Sequence, residues 1–528
     1  MTSTSNPDRR VYLVLFLVGI VVFGGAAALI PAPGYMDAEY YFATAGEIAR
    51  GNGFVEPFLW NFLSAPTALP APSHTYWQPL ASLVTAAPMA AFGVDFRVAQ
   101  LASVLLASAI PVLAARTAVS LGAGGAAAWL AGAFGLLPGF FTPYMLTTDT
   151  FAIFAVIGGL LLWQVGEVVV SPSPWRWAAL GGLVALGTLS RADGLLLWVP
   201  VVYALAAAGG RRVRPLVLVL AGFGALMTPW WIRNLIVTGA VVSPGAARAL
   251  WLLDYDELFS FPATQLTFAR WWGAGLSELL AHRWVAVAAN VQTLVAVNGY
   301  ILLLPLMAVG GWVHRRHATV RAGLLYAGAL FLFMSFVFPF AGARGGFFHS
   351  SAALMPLLYA LAAGGLISAA VWVAPRLGWE PDRTRVMLTA ISILLAGALS
   401  LWALAGKVGA FGRGASFGRN QATYAAAGEV LRREGETAAV VAVGDPPGFF
   451  LATGWSAVAL PHGTEQALRE MISTYEVEWL VLEADHPTGL DALYTSPAAR
   501  PSLAAPLSYR DPGGRMVFLY RVLPESGG

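Results

Sequence analysis

The chain has 528 residues, 58% of them hydrophobic and only 11% charged, with a net charge of +3. An ordinary soluble domain carries about 25% charged residues, so this composition excludes a water-covered globule of the same size. The positive balance does not point to nucleic acid, because the arginines sit at the ends of apolar runs, where the positive-inside rule places cytoplasmic anchors; with no cysteine, disulfides, thiol catalysis and cysteine-type zinc sites are excluded as well.

Apolar runs of the length that crosses a bilayer, about 20 residues, recur near 11–30, 97–115, 124–141, 151–169, 176–190, 194–208, 213–232, 285–311, 320–341, 349–373 and 386–406. The first follows Arg9-Arg10 and so resembles a signal peptide. It exceeds a typical signal core, and Pro31 to Tyr35 offers no small-x-small cleavage site, so it reads as a retained first helix. A shorter run, 76–93, opens with Tyr76-Trp77-Gln78-Pro79. If it lies in the interface, then Arg9-Arg10, Arg116, Arg176, Arg211-Arg212-Arg214, His314-Arg315-Arg316 with Arg321, and Arg376 with Arg383 and Arg385 share one side. The charge rule makes that side the cytoplasm. This arrangement predicts about eleven spanning helices, a cytoplasmic N-terminus, an outer loop at 31–96 and an extracytoplasmic C-terminal part. The excess of Ala, Gly and Arg fits a GC-rich bacterium, and hence its inner membrane.

The polar residues hardest to explain as packing fall in the outer segments. After the first helix comes Gly34-Tyr35-Met36-Asp37-Ala38-Glu39-Tyr40-Tyr41. Asp37, Tyr40, Tyr41, Ala45 and Ile48 share a helical face, which predicts an amphipathic helix over 38–50 lying on the membrane. Asp37 would be its N-cap, and capping alone is the bland alternative to a chemical role. Asp149, in Thr147-Thr148-Asp149-Thr150, also starts an apolar helix, so the same alternative applies. Arg191 and Asp193 read either as a simple surface pair or as part of a site. Arg233 behind Pro229-Trp230-Trp231 reads as an aromatic interface anchor with a snorkelling cation. Arg344 and His349 open another helix, a setting that suits a phosphate-bearing ligand. His74 lies in the same outer region as Asp37.

From about 407 the composition changes. Val440 to Val443, Trp479 to Leu482 and Met516 to Val522 read as strands, and Glu465 to Tyr475 as an amphipathic helix. Two domains follow: 1–406 in the membrane, and 407–528 as a small α/β unit with a partly parallel sheet. Gly444-Asp445-Pro446-Pro447-Gly448 is a strand-end turn that matches no nucleotide loop, and no Walker A loop, dinucleotide fingerprint, HExxH or GxSxG occurs.

The ordered set of these segments resembles the GT-C glycosyltransferases, polytopic enzymes that take sugars from polyprenyl-phosphate carriers. The branch it looks most like holds the protein O-mannosyltransferases and the lipid A aminoarabinose transferase. The resemblance covers nearly the whole chain. It rests on Asp37-Ala38-Glu39-Tyr40-Tyr41, Tyr76-Trp77-Gln78-Pro79-Leu80, Thr148-Asp149, Ser190-Arg191-Ala192-Asp193-Gly194, Pro229-Trp230-Trp231-Ile232-Arg233-Asn234, and Arg344 with His349. It implies a polytopic helical membrane protein with interfacial helices. The implied activity is inverting transfer of a sugar from a polyprenyl-phosphate donor to a lipid, glycan or protein acceptor at the outer face.

By resemblance Asp37 is the general base, with Glu39 as a second candidate and Asp149 as the acid of the second loop. Tyr40, Tyr41, His74, Tyr76, Gln78, Arg191, Arg344 and His349 are then the substrate-binding candidates. Relatives often carry lysine-proline-proline-leucine where this chain has Gln78-Pro79-Leu80. Gln78 brings no cation, so Arg344 or Arg191 must meet the donor phosphate. Oligosaccharyltransferases carry Trp-Trp-Asp in their soluble domain, whereas Trp271-Trp272 here precedes Gly273. Asp37, Glu39, Asp149, His74 and His349 offer hard ligands for a divalent metal, but no cofactor is firmly predicted. The rival class is a transporter or flippase of a lipid-linked saccharide. Its ionisable residues belong near the bilayer midplane, where Gln164 and Glu167 are among the few polar groups.

Overall fold

A computed structural model describes residues 9–209, 212–410 and 415–524. Arg211, counted above among the basic loop residues, lies outside them. Seven helices are long and apolar enough to cross a membrane: Arg9–Ala28, Phe96–Ser120, Phe151–Val170, Val213–Thr238, Ala318–Val337, Pro339–Leu377 and Pro381–Val408. Gly125–Gly135 with Gly139–Leu146, bent by 45°, makes an eighth if it is one span. Many side chains on these helices are apolar and uncovered, among them Val21 (74% exposed), Ile236 (79%) and Leu394 (71%). Lipid satisfies such a surface and water does not. The protein is a polytopic helical membrane protein.

The expected count of about eleven spans is not reached among the described residues, because several apolar runs are broken. The run 285–311 divides into Leu276–Gln292, a π-helical turn over Thr293–Asn298 and the ten-residue Leu304–Val313. The break falls where Tyr300 and Ile301 take positive φ values. Pro174–Ser190 has 17 residues. Leu80–Phe92 has 13 and carries Pro88 inside it, giving about 20 Å of rise against a hydrocarbon core of about 30 Å.

The helix Leu304–Val313 packs against Met355–Val373 by close backbone approach. A Cβ on Gly365 would collide with the Leu306 carbonyl oxygen, and one on Gly310 with that of Leu361. Small residues at such a crossing let the two backbones touch. Gly365→Val is therefore expected to cost about 1–3 kcal/mol by overpacking, read as a lower thermal midpoint in detergent. An unchanged midpoint would mean the two helices part freely.

At one end of the bundle the segment between the first two long helices folds together with the C-terminal domain. A six-stranded sheet runs in the order Phe58–Leu59, Ala457–Ala459, Val441–Val443, Trp479–Leu482, Met516–Arg521, Leu507–Arg510. The first four strands are parallel and the last two antiparallel. The sheet is thus partly parallel, and the strands at 441–443, 479–482 and 516–521 lie where the pattern puts them. The edge strand, however, comes from the loop 31–96, with Phe58 opposite Ala457 and Leu59 opposite Val458. The Tyr475 hydroxyl donates to the Pro66 carbonyl at 2.6 Å. The loop and the C-terminal domain are one packed body.

Candidate functional site

The helix Met36–Ala49 positions the first acid. It is not an amphipathic helix resting on a membrane surface. Ala38 through Tyr41 and Ala43 through Glu47 are buried, between Leu80–Phe92 on one side and Pro446–Thr453 on the other. The aromatic side chains on successive positions suggest one interfacial face, but packing from two directions buries both. Tyr35, not Asp37, is the N-cap residue and makes no side-chain cap bond; Asp37 lies two residues further along, inside the first turn. Asp37 keeps a third of its side chain (33%) exposed, and it lines a cavity of about 320 Å³.

Asp149 sits in the bend before Phe151–Val170, whose N-cap is Thr150. It is buried and fully engaged. Its Oδ1 accepts from the Thr150 N–H at 2.5 Å. Its Oδ2 accepts from the Tyr35 hydroxyl at 2.7 Å and lies 3.0 Å from His349 Nε2. Asp37 Oδ2 is 3.7 Å from the same His349 nitrogen. His349 is held from both sides. Its ring stacks on Phe151 at 4.1 Å, and its Nδ1 lies 2.9 Å from the Gly345 carbonyl oxygen. A carbonyl only accepts, so Nδ1 carries a proton and Nε2 faces the two carboxylates.

The two acids are driven apart electrostatically. Burial and the Asp149 carboxylate push Asp37 up to about 6, against the pull of His349 and Arg191. Burial works against Asp149 as well, but the His349 ring and the bonds from Tyr35 and Thr150 outweigh it and hold Asp149 down to about 2. Two carboxyls in one pocket with separated affinities for the proton are the usual arrangement for distinct acid–base roles. The ligand atoms of Asp37, Asp149 and His349 lie within 4.8 Å of one another, which is also a donor set for a divalent cation. The Nδ1–H to carbonyl bond is the kind of support a metal-bound imidazole has.

Two arginines close the other side of the cavity. Arg191 is not half of a surface pair. Its side chain is 18% exposed and that of Asp193 9%. The Arg191 Nε donates to Asp193 Oδ1 and to Ser350 Oγ, each at 3.1 Å, while the Ser350 hydroxyl donates to Asp193 Oδ2. Arg344 occupies a kink at Gly345, where φ is +103°. Its guanidinium lies 4.4 Å from the centre of the Tyr255 ring, and it makes no ion pair among the described residues. Gln78, Tyr41 and Tyr76 also line the cavity. One wall is apolar, built from Leu195, Leu196, Phe333, Met334 and Phe338, and Leu195 is half exposed.

Of the residues expected from the sequence, Asp37, Tyr41, Tyr76, Gln78, Arg191, Arg344 and His349 line this cavity, and Asp149 sits behind His349. Glu39, Tyr40 and His74 do not. Glu39 is two residues on from Asp37, on the opposite side of the helix, and turns to the C-terminal domain, where it meets Asp445 beside Gly448. His74 is buried, with its ring between the Ser73 and Ser82 hydroxyls at 2.8 and 2.9 Å. Its backbone N–H donates to the Tyr40 hydroxyl at 2.7 Å. Arg233 does not snorkel to an interface; it donates to the Ser73 carbonyl and covers the Trp230 ring at 4.7 Å. The residues missed were Tyr35, Tyr255, Trp60 and Ser350. Tyr35 had a signal, two positions before Asp37. Ser350 had one too, beside His349; Tyr255 had none, since it is far in sequence from the acids.

Solved structures resemble the whole arrangement. The archaeal oligosaccharyltransferase AglB of Archaeoglobus fulgidus, in complex with an inhibitory peptide and a dolichol-phosphate, superposes with a TM-score of 0.56 at 13% identity, covering 98% of this chain and 75% of that one. ArnT of Cupriavidus metallidurans, bound to undecaprenyl phosphate, gives 0.56 at 15% identity, covering 98% and 99%. The chain has the GT-C fold. No protein-family model matches it, and no curated protein does. In this GT-C bundle the cavity lies where the membrane helices meet the loop 31–96.

Proposed function

We propose that this chain is a glycosyltransferase that moves a sugar from a polyprenyl-phosphate donor to an acceptor hydroxyl, with inversion, at the outer face of a bacterial inner membrane. The observation that carries the reading is the cavity itself: a carboxylate raised to about 6 faces it together with Arg344, which makes no ion pair among the described residues. Both solved GT-C proteins above hold a polyprenyl-type phosphate.

Asp37 takes the proton from the acceptor hydroxyl as that oxygen attacks the anomeric carbon. Asp149, kept ionised, and His349 hold Asp37 in place. Arg344, with Arg191 behind it, meets the charge that grows on the departing phosphate. The apolar wall and its opening at Leu195 suit the first isoprene units of a lipid entering sideways. A divalent cation fits Asp37, Asp149 and His349, and bound there it would supply positive charge to the reacting oxygens. A chelator should then lower transfer, with Mn²⁺ or Mg²⁺ restoring it. Unchanged turnover after chelation would leave the proton network alone as the working arrangement.

The test is turnover of a panel of polyprenyl-phosphate sugars by the purified protein in liposomes, with separation of released lipid phosphate. Release with sugar transfer supports the reading. Intact donor that crosses the bilayer would replace it with lipid-linked saccharide transport.

A further inference from the structure

Next to the cavity of the two acids lies a second one of about 440 Å³, formed within the loop 31–96 and closed by the end of the helix Val213–Thr238. Its volume is in the range of small-molecule sites, about 300–1,000 Å³. Trp60 and Tyr76 line both cavities and form the wall between them. The floor holds Glu56, which is only 5% exposed. Its Oε2 is buried with no hydrogen-bond partner among the described residues. An orphaned carboxyl oxygen in a polar cavity costs free energy that a native fold rarely leaves uncompensated.

The neighbours of Glu56 decide what compensates it. Burial pushes its carboxyl up to about 8, the Tyr40 hydroxyl and Arg233 offsetting only part of this. At neutral pH the group is therefore mainly a protonated acid, able to give one hydrogen bond and accept another. That disfavours a cation as occupant, and the absence of any arginine or lysine from the lining disfavours an anion. The remaining polar lining is neutral amide and hydroxyl, Asn61 and Thr67 among it, set beside the rings of Tyr40, Trp60 and Tyr76. Aromatic surface beside groups that both give and accept hydrogen bonds matches a sugar ring, with its apolar C–H patches and hydroxyl rim.

We infer that this cavity, with Glu56 at its floor, is a binding site for a neutral saccharide, which in the transfer reading above is the sugar end of the acceptor. Only the word acceptor rests on that reading; the saccharide site stands on the cavity. The dividing wall of Trp60 and Tyr76 then separates the acceptor's sugar from the donor's phosphate.

The test measures binding of methyl glycosides and short neutral oligosaccharides to the full-length protein in detergent, by saturation-transfer NMR and tryptophan fluorescence, without donor. The wild type should bind. Glu56→Leu, which removes the orphaned carboxyl, and Ala68→Trp, which fills the cavity from its exposed rim, should each weaken binding at least tenfold. Methyl phosphate and methylamine serve as anionic and cationic controls and should not compete. Should Glu56→Leu fail to fold, Ala68→Trp alone carries the test, since its site is on the surface. No saccharide binding by the wild type, or equal binding by the folded variants, overturns the site. Saccharide binding by a protein that turns over no donor keeps the site and removes the transfer reading. Donor turnover with no saccharide binding does the reverse.

Discussion

Asp37→Asn should reduce sugar transfer by about 10²–10⁴-fold, the usual contribution of a positioned general base, with the protein still folded. The carboxamide has the same shape but accepts no proton at the reacting oxygen. Folding survives because Asp37 caps no helix end and its carboxylate makes no hydrogen bond among the described residues. Its carboxylate is in fact a burden on the folded state at neutral pH. A carboxyl whose affinity for the proton is raised on folding, here to about 6, binds protons more tightly in the native form. Stability is then lost as pH rises from the unfolded value towards 6, and at pH 7 the full cost is present. The Asn variant should accordingly melt no lower than wild type at pH 7, with a smaller difference at pH 4. Loss of transfer with an intact melting profile isolates the chemistry; near-normal turnover in a folded Asn variant would remove Asp37 from its role.

Arg344→Ala should cost about 10²–10³ in kcat, the range seen when one stabilising donor is removed from a developing negative charge. Arg344→Lys should recover part of the loss, since it keeps the charge but not the planar fork. Arg344 is a clean probe because it contributes so little to structure. Among the described residues its guanidinium rests on the face of Tyr255 and makes no ion pair, and the neighbouring backbone turn depends on Gly345. Arg191 is not clean. Removing it would strand Asp193 and the Ser350 hydroxyl in a buried network, and uncompensated buried charge costs about 3–5 kcal/mol. Steady-state kinetics over a range of donor concentrations separates the outcomes. A fall in kcat assigns Arg344 to the leaving phosphate during reaction, whereas a rise in donor KM alone would make it a binding contact only.

Glu39 shows why local pattern can point to the right segment and the wrong side chain. It lies two residues from Asp37, equally acidic and equally near the first helix. On a helix two residues are about 200° apart, so only one of them can face the cavity. Its partner, Asp445, is more than 400 residues away, and no spacing rule reports it. The same limit applies to His74, Tyr40 and Arg233. His74 reads as a loop histidine, Tyr40 as part of an amphipathic helix and Arg233 as a snorkelling anchor; in the fold His74, Tyr40 and Arg233 are joined in one network around Ser73. In the opposite direction, the Arg191–Asp193 pair reads equally as a simple surface pair, and it is buried.

The sequence by itself determined that this chain is a helical membrane protein with a partly parallel C-terminal sheet. It also determined which segments between the apolar runs carry acids and arginines. Those properties follow from composition and short-range periodicity, because burial in lipid or in a sheet acts on each run separately. Tertiary structure alone decided that the apolar run 285–311 breaks into pieces too short to count as spans, and that Phe58–Leu59 completes a sheet begun near residue 441. It also decided that Asp37, Asp149 and His349 share one nitrogen-centred contact across 312 residues. Such outcomes depend on which surfaces meet when distant segments pack, and a local pattern holds no information about its partner.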